Sequence, residues 1–384
     1  MVSQLFVKTE EQRKWLHALQ KKKATFLSRS QEIDEEAKFP HENIRELVEL
    51  GYTKVTLPKK YGGEGLGVYD MVLFQETLAS YDSATALSIG WHVGGLGEIY
   101  EKQLWTEKQL ASFANDVQKG ALVNRSVSEA QTGSPTRGGR PGTTAVRQKG
   151  SWVINGRKNF TTMSPALTYF LTSAWIEEKQ TIGFFLIHKD TPGLSIDETW
   201  DVVAMRGTGS HDLVLDQVVI PEEALVETIA DRGKSLNGWV LHIPACYLGI
   251  AQAARDYAVQ FALEHKPNSI KGSISELPNV QTLLGEIDAA LLASRHLLYH
   301  VAEVYDDIDR RKYIENELAV AKYQVTHAAL TVVDKAMRVA GAKSLQRNNP
   351  LQRYYRDVRA GLHNPPMDNI TIQKLAESAI AVYK

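Results

Sequence analysis

The sequence lacks three features that would each point to a class of protein. One cysteine, Cys246, in 384 residues excludes an internal disulfide and any metal site built from several thiolates, and we predict no metal site. The 44 basic and 45 acidic side chains give a net charge of -1, which is no reason to expect a nucleic-acid partner or a membrane surface. No apolar run could cross a bilayer, and charges between Lys8 and Lys14 argue against a signal peptide, so we expect a cytoplasmic protein.

The length of the chain and its changes in texture predict three domains. A chain of 384 residues exceeds what one hydrophobic core usually supports. The spacing of apolar residues is helical over 1–120, and long amphipathic helices return over 232–384. Between them, over 121–231, short β-rich runs alternate with Gly, Asn and Pro. We therefore predict a mainly α fold, with an N-terminal helical domain, a small antiparallel β domain and a C-terminal four-helix bundle.

Several local signals refine this prediction. The glycine-rich stretch 58–67 lacks the strand and the spacing of a nucleotide-binding loop, and we interpret it as a connector between helices. Asn155-Gly156 follows an apolar run and predicts a hairpin turn, since both residues tolerate positive φ angles. Pro244 is expected to kink the first long C-terminal helix or to mark its first turn. A third long helix is predicted from Asn316 to Val339, with Gly341 at its end.

Three distant motifs carry a family resemblance. They are Ser126-Val127-Ser128-Glu129 leading to Thr132-Gly133-Ser134, then Asn155 to Thr162, then Pro350 to Asp357, supplemented by Met205 to Thr208 and Val218 to Pro221. In order and spacing they resemble the acyl-CoA dehydrogenase family, whose three-part architecture is the one predicted above. The resemblance implies a flavin-dependent oxidoreductase that carries out α,β-dehydrogenation of an acyl-CoA or a related acyl substrate, with hydride transfer to flavin N5.

The resemblance also implies which residues hold the flavin ring. The segment at Val127 and Ser128, with Gly133 after it, corresponds to the one that bonds the ring in the family. Phe160 corresponds to the aromatic residue that packs on the ring, and Thr161 and Thr162 are placed to donate hydrogen bonds to it. A flavin needs an apolar face and donors at its pyrimidine edge and N5. Taken singly, Thr and Phe are ordinary strand residues; as a set at family spacing they favour the flavin.

The substrate and the adenosine half of the cofactor match less well. Ser134 corresponds to a serine beside the thioester chain, but the family's Asp–Arg pair at the acyl-CoA falls at Asn237 and Val240, which carry no charge. Where the family has a glutamine followed by three glycines, this chain has Arg338 and then Gly341 alone. We expect FAD, with FMN open, held in part by these two residues. The resemblance further implies a homodimer or homotetramer with flavin at the interface.

The most consequential departure concerns the catalytic base. Dehydrogenation needs a carboxylate against the substrate's Cα, and the family's glutamate falls at Pro365, while its alternative place on the bundle helix falls near Trp239. Loss of a general base typically slows a reaction about a hundred- to ten-thousand-fold. His363 and Asp368, a few residues from Pro365, are the remaining local candidates.

Two reactions therefore compete. In the first, His363 or Asp368 replaces the glutamate and an acyl substrate is dehydrogenated, with an electron-acceptor flavoprotein as partner. In the second, the chain is similar to flavin monooxygenases of this fold, such as dibenzothiophene monooxygenase, in which a flavin reductase supplies reduced flavin and a histidine on this loop protonates a C4a-peroxide near neutral pH. His92 would be a second donor. Alternatively His363 is a plain loop or capping histidine and His92 a buried, satisfied one; a third possibility is an inactive flavin-binding protein.

Overall fold

The N-terminal part of the chain is helical. The computed structural model describes residues 4–132, 139–232 and 237–383. The helices before residue 120 are α1 (Glu10–Gln20), α2 (Lys23–Glu35), α3 (His41–Leu50), α4 (Val68–Ala79), α5 (Ser83–Lys102) and α6 (Glu107–Gln118). Thr9 and Thr106 begin α1 and α6 with capping boxes, in which the threonine hydroxyl accepts from a backbone N–H three residues on. Between α3 and α4 the chain forms only short 3-10 turns, which confirms the connector predicted over 58–67.

The central part forms one mixed sheet. Its strands are β1 (Val123–Ser126), β2 (Thr144–Gln148), β3 (Ser151–Lys158), β4 (Tyr169–Ile176), β5 (Thr181–His188), β6 (Leu194–Asp197), β7 (Asp212–Pro221) and β8 (Leu225–Thr228). The order is β6-β7-β3-β2-β4-β5-β8, with β1 also beside β4. Most pairs are antiparallel, as predicted, but β1 and β2 both run parallel to β4. They lie end to end along one edge of β4, with β1 beside residues 169–172 and β2 beside Trp175 and Ile176.

The predicted hairpin at Asn155-Gly156 is wrong. The turn between β2 and β3 is Lys149-Gly150, whose φ angles of +48° and +78° are both positive. Asn155 and Gly156 instead lie inside β3, where the pairing with β7 is irregular. A Cβ on Gly156 would meet Thr143 at 2.4 Å, so the glycine permits close approach of the neighbouring chain. The sequence signal was real, but it marked a bulge and not a turn.

Helices return after the sheet. They are α7 (Ile229–Arg232), α8 (His242–Glu264), α9 (Pro278–Asp306), α10 (Glu315–Ala340), α11 (Pro350–Asp357) and α12 (Asp368–Ala381), with 3-10 segments at Gly238–Leu241 and Val358–His363. Pro244 lies in the first turn of α8, as predicted. The third long helix, α10, ends at Gly341, also as predicted, and the glycine has a positive φ of 61°.

One hydrophobic core joins the three parts. α8 packs against α4, α9 and α10, and its side chains Cys246, Tyr247 and Ile250 are completely buried. A Cβ on Gly249 would lie 2.3 Å from the carbonyl oxygen of Glu76, so this glycine sets how closely α8 approaches α4. The predicted fold class is confirmed. Within the described ranges, no helix combines the length and the apolar character needed to span a membrane.

Candidate functional site

An exposed aromatic ring follows the last residue of β3. Phe160 is 61% exposed and has a φ of +54°, and its ring meets that of Trp200 edge-on at 6.0 Å between centroids. A bulky residue in the left-handed region is uncommon, and such strain is often found at binding sites. The backbone therefore presents a flat apolar surface to the outside, where packing alone would bury it.

Polar atoms without partners surround this ring. Thr161 is completely buried, yet among the described residues its Oγ1 has no hydrogen-bond partner, and neither has the buried Oδ1 of Asn159. The Thr162 hydroxyl is satisfied, since it lies 2.9 Å from the Ser210 hydroxyl. A buried polar atom that lacks a partner is costly unless a ligand or water completes it. The segment 159–162 thus combines a stacking surface with unsatisfied hydrogen-bonding groups.

Two of the sequence motifs meet here. The backbone N–H of Asn159 donates to the carbonyl of Ser128 at 2.9 Å, which joins the segment after β1 to the end of β3. Val127 and Ser128 are both half-buried, and the bond from Asn159 places Ser128 one residue from Phe160. Asn124 on β1 also donates to the Thr162 carbonyl at 3.0 Å. The structure therefore brings together five of the residues that the resemblance implied: Val127, Ser128, Phe160, Thr161 and Thr162. Gly133 and Ser134 lie outside the described residues.

A buried carboxylate fixes the segment that follows Ser128. Glu129 accepts hydrogen bonds from the Lys158 ammonium at 2.6 Å, the Thr132 hydroxyl at 2.8 Å and the backbone N–H of Gly142 at 2.6 Å, and from both donors of Thr143. Burial by itself would raise the pKa of Glu129, but these donors outweigh it and lower the pKa to about 2. Burial lowers the pKa of Lys158 to about 8 against the opposing attraction of Glu129. We read the pair as ionised near neutral pH.

A second buried carboxylate joins the three parts of the chain. Asp357, at the end of α11, accepts from the Ser83 hydroxyl at the start of α5 at 2.6 Å and from the backbone N–H of Met205 at 2.7 Å. The neighbouring Arg356 pairs with Asp34 on α2 and donates to the Val203 carbonyl. Arg356 and Asp357, which end the sequence motif from Pro350 to Asp357, thus connect the helical parts with the loop before β7, on which Ser210 also lies.

This junction predicts an effect of pH. Burial raises the pKa of Asp357 to about 6 from its usual 3.8, so the folded state binds this proton more tightly than the unfolded state does. The contribution of Asp357 to stability is therefore greatest below pH 3.8 and is lost as the pH rises through 6. In Asp357→Asn, the amide oxygen can accept from Met205 and the amide nitrogen can donate to Ser83. We expect the stability of the variant relative to the parent to increase from pH 4 to pH 7, measured by urea unfolding; a constant difference would contradict this.

α5 has one open face. From Ser83 to Tyr100 all its residues are buried except Trp91 and Gly95, one turn apart. A Cβ on Gly95 would meet nothing within 4 Å, so there is open space beside it. The Trp91 ring contacts that of the buried His242 on α8 at 4.7 Å between centroids.

His92 points away from this open face. It is completely buried; its Nε2 lies 2.8 Å from the Thr53 carbonyl, and its Nδ1 accepts from the backbone N–H of Val123 at 3.1 Å. Burial lowers the pKa of His92 to about 4. Both ring nitrogens are engaged by backbone groups, which agrees with the buried, satisfied histidine that was the alternative. We leave His92 out of the proposed catalytic site.

The loop between α11 and α12 presents His363. Gly361 lets the loop approach α8 and α10, since a Cβ there would lie 3.0 Å from Tyr247 and 2.6 Å from Thr326. The Tyr247 hydroxyl donates to the side chain of Asn364. His363 itself is exposed, and in the part of the chain that the structure describes its ring has no hydrogen-bond partner. Its imidazole is therefore available to a ligand.

Asp368 serves a different purpose. It is the first residue of α12, and its carboxylate contacts His327 Nε2 at 2.7 Å and the Lys322 ammonium at 3.3 Å, both on α10. Burial would raise the pKa of Asp368, but these two partners outweigh it and lower the pKa. A carboxylate held by a lysine and a histidine is a poor proton acceptor, so we assign Asp368 to anchoring α12 and do not propose it as a base.

Arg338 and Gly341 line a cleft of about 510 Å³ at the end of α10. Ser344, Tyr355 and Arg356 also border it. The cleft carries two arginines, an exposed backbone turn and an aromatic ring, which suit a phosphate group with a nucleoside attached. Both arginines already pair with an aspartate, Arg338 with Asp334 of the same cleft and Arg356 with Asp34, so a phosphate would compete with these carboxylates. The sequence predicted that Arg338 and Gly341 would act together, and the structure places them on one surface. Among the described residues, no cluster of His, Cys, Asp and Glu could hold a metal ion.

Some features of this site escaped sequence reasoning. The pairing of Glu129 with Lys158 and the edge contact between Phe160 and Trp200 connect positions far apart in the chain. Nothing in the local sequence marks Lys158, the last residue of β3 between Arg157 and Asn159, as a buried residue with a partner.

Comparison with known families decides the identity of the fold. Three family models match consecutive parts of the chain: the N-terminal domain of acyl-CoA dehydrogenases over 9–128, the middle domain over 125–218 and the C-terminal domain over 241–364. The chain belongs to the acyl-CoA dehydrogenase family. This confirms the resemblance drawn from the motifs, and it places Val127, Ser128 and the segment 159–162 in the family's middle domain.

Individual relatives within the family carry different names. The chain is 59% identical over 376 residues to a putative acyl-CoA dehydrogenase, YdbM, of Bacillus subtilis, covering 98% of this chain and 99% of that protein. It is 30% identical to L-evernosamine nitrososynthase of a Micromonospora, covering 85% of this chain and 80% of the other. The structure of butyryl-CoA dehydrogenase from Megasphaera elsdenii superposes with a TM-score of 0.87 at 22% identity, covering 97% and 99%.

The residues around Phe160 fit the flavin that the family binds. The exposed ring supplies a stacking face, and the buried, unpartnered Oγ1 of Thr161 supplies a group for a polar edge of the ring. Phe160→Ala is expected to leave the free energy of unfolding within about 0.5 kcal/mol of the parent, because this side chain is mostly exposed. The same variant should bind flavin about two- to tenfold more weakly through lost stacking. Fluorescence titration checks both FAD and FMN, and unchanged affinity would remove Phe160 from the site.

Proposed function

We propose that this protein is a flavin-dependent monooxygenase that oxidises a small organic substrate with reduced flavin and O₂. The observation that carries the proposal is the lack of a free carboxylate at the two positions where dehydrogenation would need one. These are position 365, a proline, and position 239, a tryptophan.

The carboxylates nearest to these positions are already engaged. Glu101 accepts from Trp239 Nε1 at 2.6 Å and from the Tyr305 hydroxyl at 2.8 Å, and it also pairs with Arg311. Asp368, three residues after Pro365, is held by Lys322 and His327. A base must be able to take up a proton in the reaction. The partners of Asp368 stabilise its charged form and oppose that step, while the oxygens of Glu101 are occupied by three donors.

The chain offers the groups that oxygen transfer needs. Reduced flavin, when bound, supplies the electrons that activate O₂. Phe160 and Thr161 would hold and orient the ring, and His363, exposed on a loop anchored by Tyr247 and α12, would donate the proton that oxygen transfer consumes. Trp91 would cover the open space beside Gly95 and exclude water from it.

The cofactor and its supply follow from the same surfaces. We propose FAD or FMN as the flavin, with the cleft at Arg338 and Gly341 receiving the phosphate end. We also propose that Ser134 contacts the substrate and that Gly133 contacts the cofactor. Since reduced flavin must be renewed in each cycle, the partner would be a flavin reductase. We also propose a homo-oligomer, dimeric or tetrameric.

Dehydrogenation of an acyl-CoA is the second candidate. It is favoured by the name of the 59% identical relative and by the likeness to butyryl-CoA dehydrogenase. In that case His363 would be the base and an electron-accepting flavoprotein would be the partner. The relative named as a nitrososynthase, by contrast, supports oxygen chemistry on this fold.

One experiment separates the two. The purified, flavin-loaded protein is titrated with a panel of acyl-CoA thioesters without oxygen; we expect the oxidised-flavin absorbance to persist. After chemical reduction and mixing with O₂ in a stopped-flow instrument, we expect a transient absorbance band that neither the oxidised nor the reduced flavin shows. Bleaching by a thioester would overturn the proposal in favour of dehydrogenation. Persistence without any transient band would favour an inactive flavin-binding protein.

A further inference from the structure

A cavity lies away from Phe160, between the N-terminal helices and the C-terminal bundle. It has a volume of about 690 Å³ and is walled by residues of α1, α2, α4, α8 and the start of α11. This volume lies within the range of sites that hold small molecules. Nothing in the proposed flavin chemistry uses it.

The cavity wall carries a nearly buried cation. Arg353, on α11, is 7% exposed and forms no ion pair among the residues that the structure describes. Its neighbours are the Tyr354 side chain, which shares a hydrogen bond with it and whose ring centroid lies 5.3 Å from the guanidinium carbon, and the buried carboxylates of Asp82 and Asp357, which attract its charge. A buried guanidinium usually has a bidentate carboxylate or phosphate partner. Arg353 therefore has unused donors next to an open volume.

The cavity wall carries more basic than acidic side chains. Arg347, Lys23 and Arg13 also line the cavity. Its acids are already bound: Glu76 is held by Arg295 at 2.5 Å and by the Tyr299 hydroxyl at 2.6 Å, Asp256 accepts from Gln252 at 2.8 Å, and Glu35 accepts from Gln31 at 2.8 Å. The Arg347 side chain, by contrast, has no described hydrogen bond or ion pair. An anion entering the cavity would meet free cations and no free carboxylate at Glu76 or Asp256.

The rest of the wall suits a flat apolar body. Tyr81 and Tyr257 contribute rings whose hydroxyls are already bonded, to Gln20 at 3.1 Å and to Asn349 at 2.9 Å. Leu16, Leu27 and Ala253 add aliphatic surface. Aromatic and aliphatic walls with a few placed polar groups are typical of sites for ring-containing ligands.

We propose that this cavity is a second ligand site, which binds a small organic anion through Arg353 and Arg347 and packs its planar body against Tyr81 and Tyr257. The site is separate from the flavin site. The two share only α11: Gln352 borders both, Arg353 and Tyr354 border the cavity, and Tyr355 and Arg356 border the cleft at Gly341.

The test compares an anion with its neutral counterpart. Binding of 2-naphthoate and of 2-naphthamide to the full-length protein, with and without saturating FMN, is measured by isothermal titration. We expect naphthoate to bind, naphthamide to bind more weakly, and FMN to leave both affinities unchanged. Equal affinities, displacement by FMN, or no binding of naphthoate would each overturn the proposal. Turnover is not measured, so failure of the monooxygenase proposal would leave this result intact.

Three matched substitutions locate the site. Arg353→Met and Arg347→Met should each weaken naphthoate binding about tenfold or more, the loss expected for a charge-assisted hydrogen bond. Arg45→Met, at an exposed arginine on α3, should change nothing. Thermal unfolding distinguishes a ligand-binding role of Arg353 from a purely structural one. A lower Tm for Arg353→Met, together with unchanged naphthoate affinity in both cavity variants, would overturn the proposal. Arg347→Met keeps the test valid should Arg353→Met fail to fold.

Discussion

Glu129→Ala is expected to lower the free energy of unfolding by about 3–5 kcal/mol, because it leaves a buried charge without a partner. Lys158 is completely buried, and Glu129 is the carboxylate that pairs with it. The substitution also removes the acceptor for Thr132, Gly142 and Thr143, which hold both ends of the segment containing Gly133 and Ser134. Flavin affinity should therefore fall together with stability. Urea unfolding and flavin titration measure the two effects.

Two controls show whether the pairing explains this loss. In Glu129→Ala/Lys158→Met the buried charge is gone, and we expect much of the lost stability to return while flavin affinity stays low. Glu177→Ala removes an exposed partner of Arg140 and should cost less than about 1 kcal/mol. If Glu129→Ala lowers the free energy of unfolding no more than Glu177→Ala does, the pair of Glu129 and Lys158 does not have the stabilising role assigned to it.

His363→Ala is expected to slow substrate oxygenation about a hundred- to ten-thousand-fold, the usual range for loss of a general acid or base. The side chain is exposed and makes no described hydrogen bond, so the Tm should stay unchanged. Reduced flavin would still react with O₂, and we expect the electrons to appear as hydrogen peroxide in place of oxygenated product. Parallel assays of product and peroxide measure this division.

His300 provides the matched control. It is an exposed histidine on α9, and His300→Ala should behave as the parent in both assays. Unchanged product formation in His363→Ala would leave His363 as a plain loop residue. A fall in both product and peroxide would instead point to weaker flavin binding, which titration detects separately.

Local signals in the sequence predicted much of the fold. Periodic apolar residues located the long helices, and Gly341 marked the end of α10, because helical periodicity and capping depend on near neighbours. The parallel pairing of β1 and β2 with β4 could not be predicted, since it depends on contacts between strands that are far apart in the chain. The Asn155-Gly156 signal was misinterpreted for a related reason. The glycine is needed because Thr143, just before β2, lies too close to leave room for a side chain.

In the candidate site, too, features that depend on neighbours in the chain could be predicted, and contacts between distant residues could not. Phe160 and the threonines after it are neighbours in the chain, so the motif could predict them as one set. The contacts of His92 could not be predicted, because they are made with backbone groups of Thr53 and Val123 that only the fold brings to its ring. The same holds for Asp368, whose carboxylate meets Lys322 and His327 from α10. Spacing along a chain does not report contacts of this kind.

A crystal structure of the flavin-loaded protein tests the central claim most directly. We predict a flavin ring packed on Phe160, with its polar edge at Thr161 and Thr162, and no carboxylate of this chain within hydrogen-bonding distance of N5. A glutamate or aspartate directed at N5, or a flavin bound elsewhere on the chain, would contradict the account.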